Sequence, residues 1–191
     1  MPIAFALADR LARLREHQSQ DPAVEYDPDR QWAAVAIIVA PAPDAILLIR
    51  RSERSGDPWS GHMALPGGRR DPNDRELLDT AIRETREEVG IHLGRNDLVG
   101  ILQPVVPRTR VLPPIAIQPF VFHLQRRPEL TLNSEVAAAR WVELERLLHP
   151  TTHGPVELTV GGAHRVVPAF QLEDGVVWGL TERILASLFE F

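Results

Sequence analysis

The sequence of 191 residues contains no cysteine. The chain therefore cannot form a disulfide, attack a substrate with a thiolate or bind a metal through sulfur. It also lacks a run of about 20 apolar residues, the length that a membrane-spanning helix needs. The N-terminal segment mixes apolar and charged residues, unlike the uninterrupted apolar core of a signal peptide. We therefore expect a cytoplasmic protein that does not bind membranes, in line with a reducing compartment.

Positive charge is in deficit. The chain has 21 lysine and arginine residues against 26 aspartate and glutamate residues, for a formal net charge of −5. Broad electrostatic binding of nucleic acid is not expected at this charge, although a local arginine patch can still hold phosphates. The apolar fraction of 44% and the charged fraction of 25% are ordinary for a globular domain.

The order of predicted elements indicates one domain around a mixed sheet. Residues 1–31 are predicted to form an N-terminal helix and a linker, and residues 32–191 the main domain. Apolar runs predict strands at residues 32–40, 45–51, 98–103 and 115–124, with a shorter strand near Trp141. The first two strands are predicted to form a hairpin, and a second hairpin is predicted to turn at Gly161 and Gly162. With a C-terminal amphipathic helix, this mixture predicts an α/β fold.

A helix is predicted between Asp74 and Gly90. Asp74 is the expected N-cap residue, and Gly90 is the expected C-terminal stop. Apolar or small residues recur at three- and four-residue spacing and predict the buried stripe, which comprises Leu78, Ala81, Ile82, Thr85 and Val89.

The same helix carries Glu84, Glu87 and Glu88 within an arc of roughly 100° beside that stripe. They either form a solvated face, with an ion pair between Arg83 and Glu87, or bind a cation. Carboxylates this close repel one another unless a cation neutralises them, and oxygen ligands suit Mg²⁺ or Mn²⁺. The glycine pair in LPGG, just ahead of the helix, lets the backbone approach a metal or phosphate, which favours the metal site.

Gly68, Asp74 and residues 83–91 resemble the signature of the Nudix hydrolase family. Two features depart from the signature: Asp74 replaces its first glutamate, and eight residues instead of seven separate Asp74 from Arg83. Thr85 is also a marginal match for an apolar position. The resemblance implies an α/β/α sandwich with a mixed sheet, and a metal-dependent enzyme that hydrolyses pyrophosphate bonds.

The resemblance also implies roles for residues of this chain. Glu84, Glu87, Glu88 and the Gly67 carbonyl would bind Mg²⁺ or Mn²⁺. Arg83 would orient the carboxylates, and Asp74 would hold the loop ahead of the helix through hydrogen bonds or a salt bridge.

Members of the family often recruit a further carboxylate from outside the signature, and Glu135 is the candidate. The alternative is that Glu135 is an exposed loop residue. Glu84 and Glu135 are the two contenders for the general base.

The segments LLIRRS, GHMALPGGRRD and WGLTERIL resemble those of coenzyme A pyrophosphatases, a subgroup of the family. The subgroup implies cleavage of coenzyme A or its derivatives to 3′,5′-ADP and (acyl-)phosphopantetheine. Arginine suits bidentate phosphate contact, so the predicted substrate-binding residues are Arg51, Arg50 and Arg69, with Gly68. The loop after Ser52 departs from the subgroup: it is one residue longer and has no arginine at the signature position.

Further candidates for substrate contact are Trp59, Arg108, Arg110 and His62. Other nucleoside diphosphate derivatives are the alternative substrates, and a non-catalytic nucleotide-binding module is the alternative class of protein. The terminal helices either cover the sheet or build the interface of a homodimer.

Overall fold

A computed structural model describes residues 12–13, 31–56, 60–107, 114–160 and 162–189. Within these ranges, no helix is long and apolar enough to cross a membrane. Ala12 and Arg13 are helical and exposed. Gln31, assigned to the predicted linker, begins a strand. The other residues of the predicted N-terminal helix and linker lie outside the described residues, as do Trp59, Arg108, Arg110 and Gly161.

Seven strands form the main sheet. They are β1 (Gln31–Ala40), β2 (Ala45–Arg51), β3 (Met63–Ala64), β4 (Gly67–Arg69), β5 (Leu98–Ile101), β6 (Ile115–His123) and β7 (Val136–Glu143). The order is β3-β2-β1-β6-β5, while β4 also pairs with β1 and β7 also pairs with β2. Strands β1 and β6 run parallel, and the other pairs are antiparallel. The sheet is therefore mixed, as the sequence predicts.

Strand β1 is buried on both faces of the sheet. Because successive side chains of a strand point to opposite faces, Ile37 and Val39 enter one apolar cluster, while Ala36 and Ile38 enter another. This arrangement explains why the strand reads as one continuous apolar run.

Apart from the helical residues 12–13, the described ranges contain three α-helices: α1 (Leu77–Val89), α2 (Leu144–Leu147) and α3 (Gly179–Phe189). Helix α1 packs Leu78, Ala81 and Val89 on one face of the main sheet. Helix α3 packs on the other face through Ile184 and Leu185, among others. The α/β/α sandwich is confirmed.

A second, three-stranded sheet was not predicted. It contains β8 (His153–Val160), β9 (Ala163–Leu172) and β10 (Gly175–Trp178), in the order β10-β9-β8. The pairing of Val160 with Ala163 confirms the predicted hairpin. Phe170 and Val177 join this sheet to the apolar cluster beneath α3.

The predicted start of α1 is wrong. The helix begins at Leu77 with Glu76 as its N-cap, and no side chain caps its first turn. Asp74 cannot serve as the cap because its carboxylate accepts hydrogen bonds from the Asp71 N–H and the Thr80 hydroxyl. The predicted stop is confirmed: Gly90 has φ 74°, a left-handed conformation that glycine adopts without strain.

Candidate active site

Two glycines bring β4 against β1 and α1. A Cβ atom on Gly67 would lie 2.2 Å from the Ala34 carbonyl oxygen and 2.6 Å from the Val35 Cα. A Cβ atom on Gly68 would lie 2.5–2.6 Å from the carboxylate atoms of Glu84. The Glu84 carboxylate therefore packs directly against the backbone of the glycine loop. Any side chain on Gly68 would clash with it.

Glu88 is the buried carboxylate of the cluster. Its side chain is 2% exposed, and its Oε2 accepts a hydrogen bond of 2.9 Å from the Gly67 N–H. Burial raises the pKa of Glu88 to about 7, against the effect of the Gly67 hydrogen bond. The charges of Glu84 and Glu135 contribute to this rise in the pKa, and the charge of Arg51 opposes it. The charged groups of Glu84, Glu135 and Arg51 therefore lie close enough to Glu88 to affect its ionisation.

Glu84 shares this environment. Burial is the main cause that raises the pKa of Glu84, and the hydrogen bond from Arg83 opposes it. The charges of Glu87 and Glu135 also raise the pKa of Glu84. Two neighbouring carboxyl groups on α1 are therefore harder to ionise than usual, which is the expected cost of like charges held together out of water.

Arg83 connects the carboxylates to the loop ahead of the helix. Its Nη1 donates to Glu84 Oε1 at 2.8 Å and to Glu87 Oε2 at 3.2 Å. Its Nε and Nη2 donate to the two carboxylate oxygens of Asp74 at 3.0 and 2.9 Å, and Nη2 also reaches the Arg69 carbonyl. One guanidinium therefore orients three acidic side chains.

Asp74 fixes the loop. Hydrogen bonds from Arg83 are the main cause that lowers the pKa of Asp74 to about 2, against burial. Arg70 adds two hydrogen bonds of 3.1 Å, to the Asp74 and Arg75 carbonyls. The predicted structural contacts of Asp74 are present, and Arg70 holds the loop from its other side.

Glu135 approaches the cluster from the segment that precedes β7. Its carbonyl accepts from the Ser52 N–H at 2.8 Å, and its own N–H donates to Asn133 Oδ1 at 2.8 Å. The Glu135 carboxylate forms an ion pair of 3.1 Å with Arg54, and both side chains are exposed, at 43% and 47% respectively. Glu135 is thus both an exposed loop residue and a neighbour of the cluster.

A family model described as the NUDIX domain matches residues 30–159, which is more than half of the chain. The chain belongs to the Nudix family. The match includes the glycine loop, helix α1 and Glu135.

Two curated relatives and one solved structure illustrate the similarity. An uncharacterised protein of Schizosaccharomyces pombe is 43% identical over 118 residues, 59% of this chain and 36% of that protein. The mitochondrial coenzyme A diphosphatase NUDT8 of Mus musculus is 34% identical over 140 residues, 72% of this chain and 65% of that protein. The match therefore spans about a third of the first relative and just under two thirds of the second.

The crystal structure of a MutT/nudix family protein from Enterococcus faecalis has a TM-score of 0.64 to this chain. It is 19% identical and covers 94% of this chain and 68% of that one. This likeness shows that the two chains share the fold.

The acidic residues of the Nudix signature differ in exposure. Glu88 and Glu84 face the glycine loop, whereas Glu87 is 47% exposed at the rim and contacts Arg83. Among the described residues, no group of three or more acidic or histidine side chains is arranged around one point that could hold an ion. Instead, the Arg83 guanidinium neutralises Glu84 and Glu87.

The chemistry of the cluster nevertheless fits a hard divalent cation. Carboxylate oxygens meet the backbone of a glycine loop, and burial and mutual repulsion disfavour their ionised forms. A cation would reverse that penalty. The roles of Glu84, Glu87, Glu88 and the Gly67 carbonyl as ligands stay predictions.

The predicted substrate-binding arginines divide into two groups. Arg51 is close enough to Glu88 to affect its pKa. Arg50 and Arg69 are exposed, and the Arg69 carbonyl accepts from Arg83. Arg54, which was not among the predicted site residues, contacts Glu135. Because the two residues are distant in sequence, no local pattern could reveal this contact.

Proposed function

We propose that this Nudix protein hydrolyses a pyrophosphate bond with the help of Mg²⁺ or Mn²⁺, and that its substrate is coenzyme A or a derivative. The observation that carries the proposal is the buried Glu88 carboxylate, hydrogen-bonded to the glycine loop and close to Glu84 and Glu135. A stable protein rarely buries a carboxylate beside others without a compensating charge. Divalent cations would supply that charge.

The ligands would be the side chains of Glu84, Glu87 and Glu88 and the carbonyl of Gly67. When bound, the cation offsets the negative charge of the pyrophosphate, which otherwise repels a nucleophile, and makes water a better nucleophile. Arg83 holds Glu84 and Glu87 through one nitrogen and Asp74 through the others, so it sets the direction of the carboxylates. It acts as a positioning residue.

The reaction joins a water oxygen to one phosphorus and breaks the bridging P–O bond on the opposite side. The water gives up a proton, and the departing phosphate leaves with the electron pair of the broken bond. Two carboxylates can accept that proton: Glu84, which rests on Gly68, and Glu135, which is held in place by its backbone contacts. Arg54 balances the charge of Glu135 from the solvent side.

Two observations support coenzyme A as the substrate. The relative NUDT8 is a coenzyme A diphosphatase, and three segments of this chain resemble those of the coenzyme A pyrophosphatase subgroup. The products would be 3′,5′-ADP and (acyl-)phosphopantetheine. Arg51, beside Glu88, is the first candidate for phosphate contact, and Arg50, Arg69 and the Gly68 backbone are further candidates.

A substrate panel tests the proposal. Coenzyme A, acetyl-coenzyme A, ADP-ribose and a dinucleoside polyphosphate are each incubated with Mg²⁺ or Mn²⁺, and the products are separated by chromatography. We expect coenzyme A to give 3′,5′-ADP and phosphopantetheine faster than the other compounds react. Slow or absent cleavage of coenzyme A, together with fast cleavage of another diphosphate, would show that coenzyme A is not the substrate and that the other compound is.

A non-catalytic nucleotide-binding module would behave differently when Glu87 is changed. For an enzyme, Glu87→Gln should lower turnover by about 100-fold or more while folding and nucleotide binding persist. The matched control is Glu145→Gln, at an exposed glutamate on α2, which should retain full turnover. Unchanged turnover of Glu87→Gln would remove Glu87 from the metal site.

Three further predictions belong to the proposal. A cytoplasmic location is tested by cell fractionation, and a homodimer by light scattering. The division into an N-terminal segment, residues 1–31, and a Nudix domain, residues 32–191, is tested by limited proteolysis, which should leave a resistant fragment that begins near Trp32.

A further inference from the structure

The rings of His62 and Trp178 meet near the proposed active site, and the proposed chemistry uses neither of them. Their centroids lie 4.9 Å apart, with the planes at 56°. Both side chains are half-buried, unlike that of Trp32, which is 6% exposed and part of the core. A Cβ atom on Gly179, the next residue after Trp178, would meet nothing within 4 Å. The chain at Trp178 therefore borders open space.

Strand register places this ring pair beside Arg51. Strand β2 pairs with β3 through Arg50 and Met63, and the Arg51 N–H donates to the His62 carbonyl at 3.0 Å. Arg51 and His62 are therefore directly opposite one another, and their side chains leave the same face of the sheet. Neighbouring strands are about 4.8 Å apart, so the imidazole lies one strand away from Arg51 and the Trp178 indole follows it.

Arg51 in turn lies near the carboxylate cluster. The next residue, Ser52, is hydrogen-bonded to Glu135, Glu135 donates from its N–H to Asn133, and the Asn133 N–H donates to the Glu88 carbonyl at 3.1 Å. Across this edge of the sheet, the order of groups is therefore Glu135, Arg51, His62 and Trp178. Acidic groups stand at one end of this row, a cation follows them, and aromatic rings stand at the other end.

We propose that His62 and Trp178 form the contact surface for the base of a nucleotide substrate, whose phosphates lie toward Arg51 and the carboxylate cluster. This inference rests on the proposed function and deepens it, because it assigns the base end of the substrate. Aromatic side chains stack on the face of any base, and arginine binds the phosphates next to it. The other possible role of Trp178 is packing alone, since its strand also places Gly175 against Met63.

Two uncleavable probes separate these roles. The first is α,β-methylene ADP, and the second is methylenediphosphonate, which has the same two phosphorus groups and no nucleoside. Binding of each probe to the full chain with Mg²⁺ is measured by calorimetry for the wild type, Trp178→Leu and Trp178→Phe. We expect Trp178→Leu to lower the affinity for the nucleotide probe by about tenfold. The affinity for methylenediphosphonate should change by no more than about twofold. Trp178→Phe keeps a ring and should lose much less.

Trp141→Leu is the matched control. Trp141 is also half-buried, on β7, with the Arg127 guanidinium 5.8 Å from its ring centroid. Its replacement should weaken neither probe. If Trp178→Leu does not fold, His62→Ala is measured in the same way, and a selective loss of the nucleotide probe is again expected.

Three results would overturn the inference. Trp178→Leu could lower the affinity for both probes equally, or it could leave the affinity for the nucleotide probe unchanged. The third result is a wild type that binds only methylenediphosphonate. None of these removes the pyrophosphate chemistry. Conversely, a ring-dependent loss of the nucleotide probe in a protein that cleaves no diphosphate would remove the proposed function and leave this binding surface. A wild type that binds neither probe would overturn both.

Discussion

Replacement of Glu88 by glutamine should make the metal-free protein more stable at alkaline pH. The glutamine keeps an oxygen that accepts the hydrogen bond from the Gly67 N–H, and it has nearly the same volume. It removes the charge that Glu88 acquires when it ionises in a buried site next to Glu84. The same substitution should abolish the benefit of an added divalent cation.

The magnitude follows from the pKa of Glu88, which folding raises from 4.5 to about 7. Because the folded protein binds this proton more tightly, the stabilisation is fully present below pH 4.5 and is lost as the pH rises through 7. Each pH unit in this window is worth about 1.4 kcal/mol. The free energy of unfolding should therefore fall by about 3 kcal/mol in the wild type and not in Glu88→Gln.

Thermal unfolding with a chelator present measures this difference between pH 4.5 and 8. A difference of about 3 kcal/mol corresponds to roughly 6–12 °C for a chain of this size, in favour of Glu88→Gln at pH 8, and it should shrink toward pH 4.5. Excess Mg²⁺ should stabilise the wild type and not the variant. Glu145→Gln, at an exposed position, should follow the wild type at every pH. If the unfolding temperatures of Glu88→Gln and the wild type change with pH in parallel, ionisation of Glu88 does not destabilise the folded protein.

Two further substitutions test the loop ahead of α1. Asp74→Asn should lower the free energy of unfolding by about 2 kcal/mol at pH 7, as measured by urea titration, because folding lowers the pKa of Asp74 from 3.8 to about 2. This loss of stability should disappear as the pH falls from 4 to 2. A loss that is the same at every pH would contradict the prediction. Gly68→Ala places a Cβ 2.5 Å from the Glu84 carboxyl carbon and should lower turnover by about tenfold or more. Gly154→Ala, where a Cβ meets nothing within 4 Å, is its control, and equal turnover of the two variants would show that Glu84 tolerates displacement.

The sequence predicted the parts of the fold in which one local pattern decides the structure. An apolar run long enough for a strand and interrupted by no polar residue identified β1, because both of its faces are buried. Glycine at the end of an amphipathic pattern identified the stop of α1, since Gly90 adopts a left-handed conformation there. The predicted stripe is also buried, except that Ile82 is half-buried at its edge.

Tertiary contacts decided the features that the sequence did not predict. Strands β3 and β4 contain two and three residues and lie in a segment rich in glycine and proline, so they have no periodic signal of their own. Strand β7 is longer than the predicted short strand because its pairing with β2 extends over the whole of β2. The sequence predicts Asp74 as a helix cap, but Arg83, nine residues later in the chain, binds its carboxylate instead.

The site shows the same division. Helical periodicity placed Glu84, Glu87 and Glu88 on one side of α1, and the structure shows that the buried members of this set are Glu88 and, in part, Glu84. The ion pair between Arg54 and Glu135 joins two distant loops. Its geometry depends on the pairing of β2 with β7, which brings Ser52 next to Glu135, and no spacing in the sequence encodes that pairing.

Turnover after exhaustive chelation shows whether this protein needs a divalent cation for hydrolysis. The protein is dialysed against EDTA, the chelator is removed, and cleavage of coenzyme A is followed with and without added Mg²⁺ or Mn²⁺. We expect no cleavage by the metal-free protein and a saturable recovery of cleavage with either cation. Full cleavage in the presence of excess chelator would overturn the proposed function, because the carboxylates on α1 would then act without a metal.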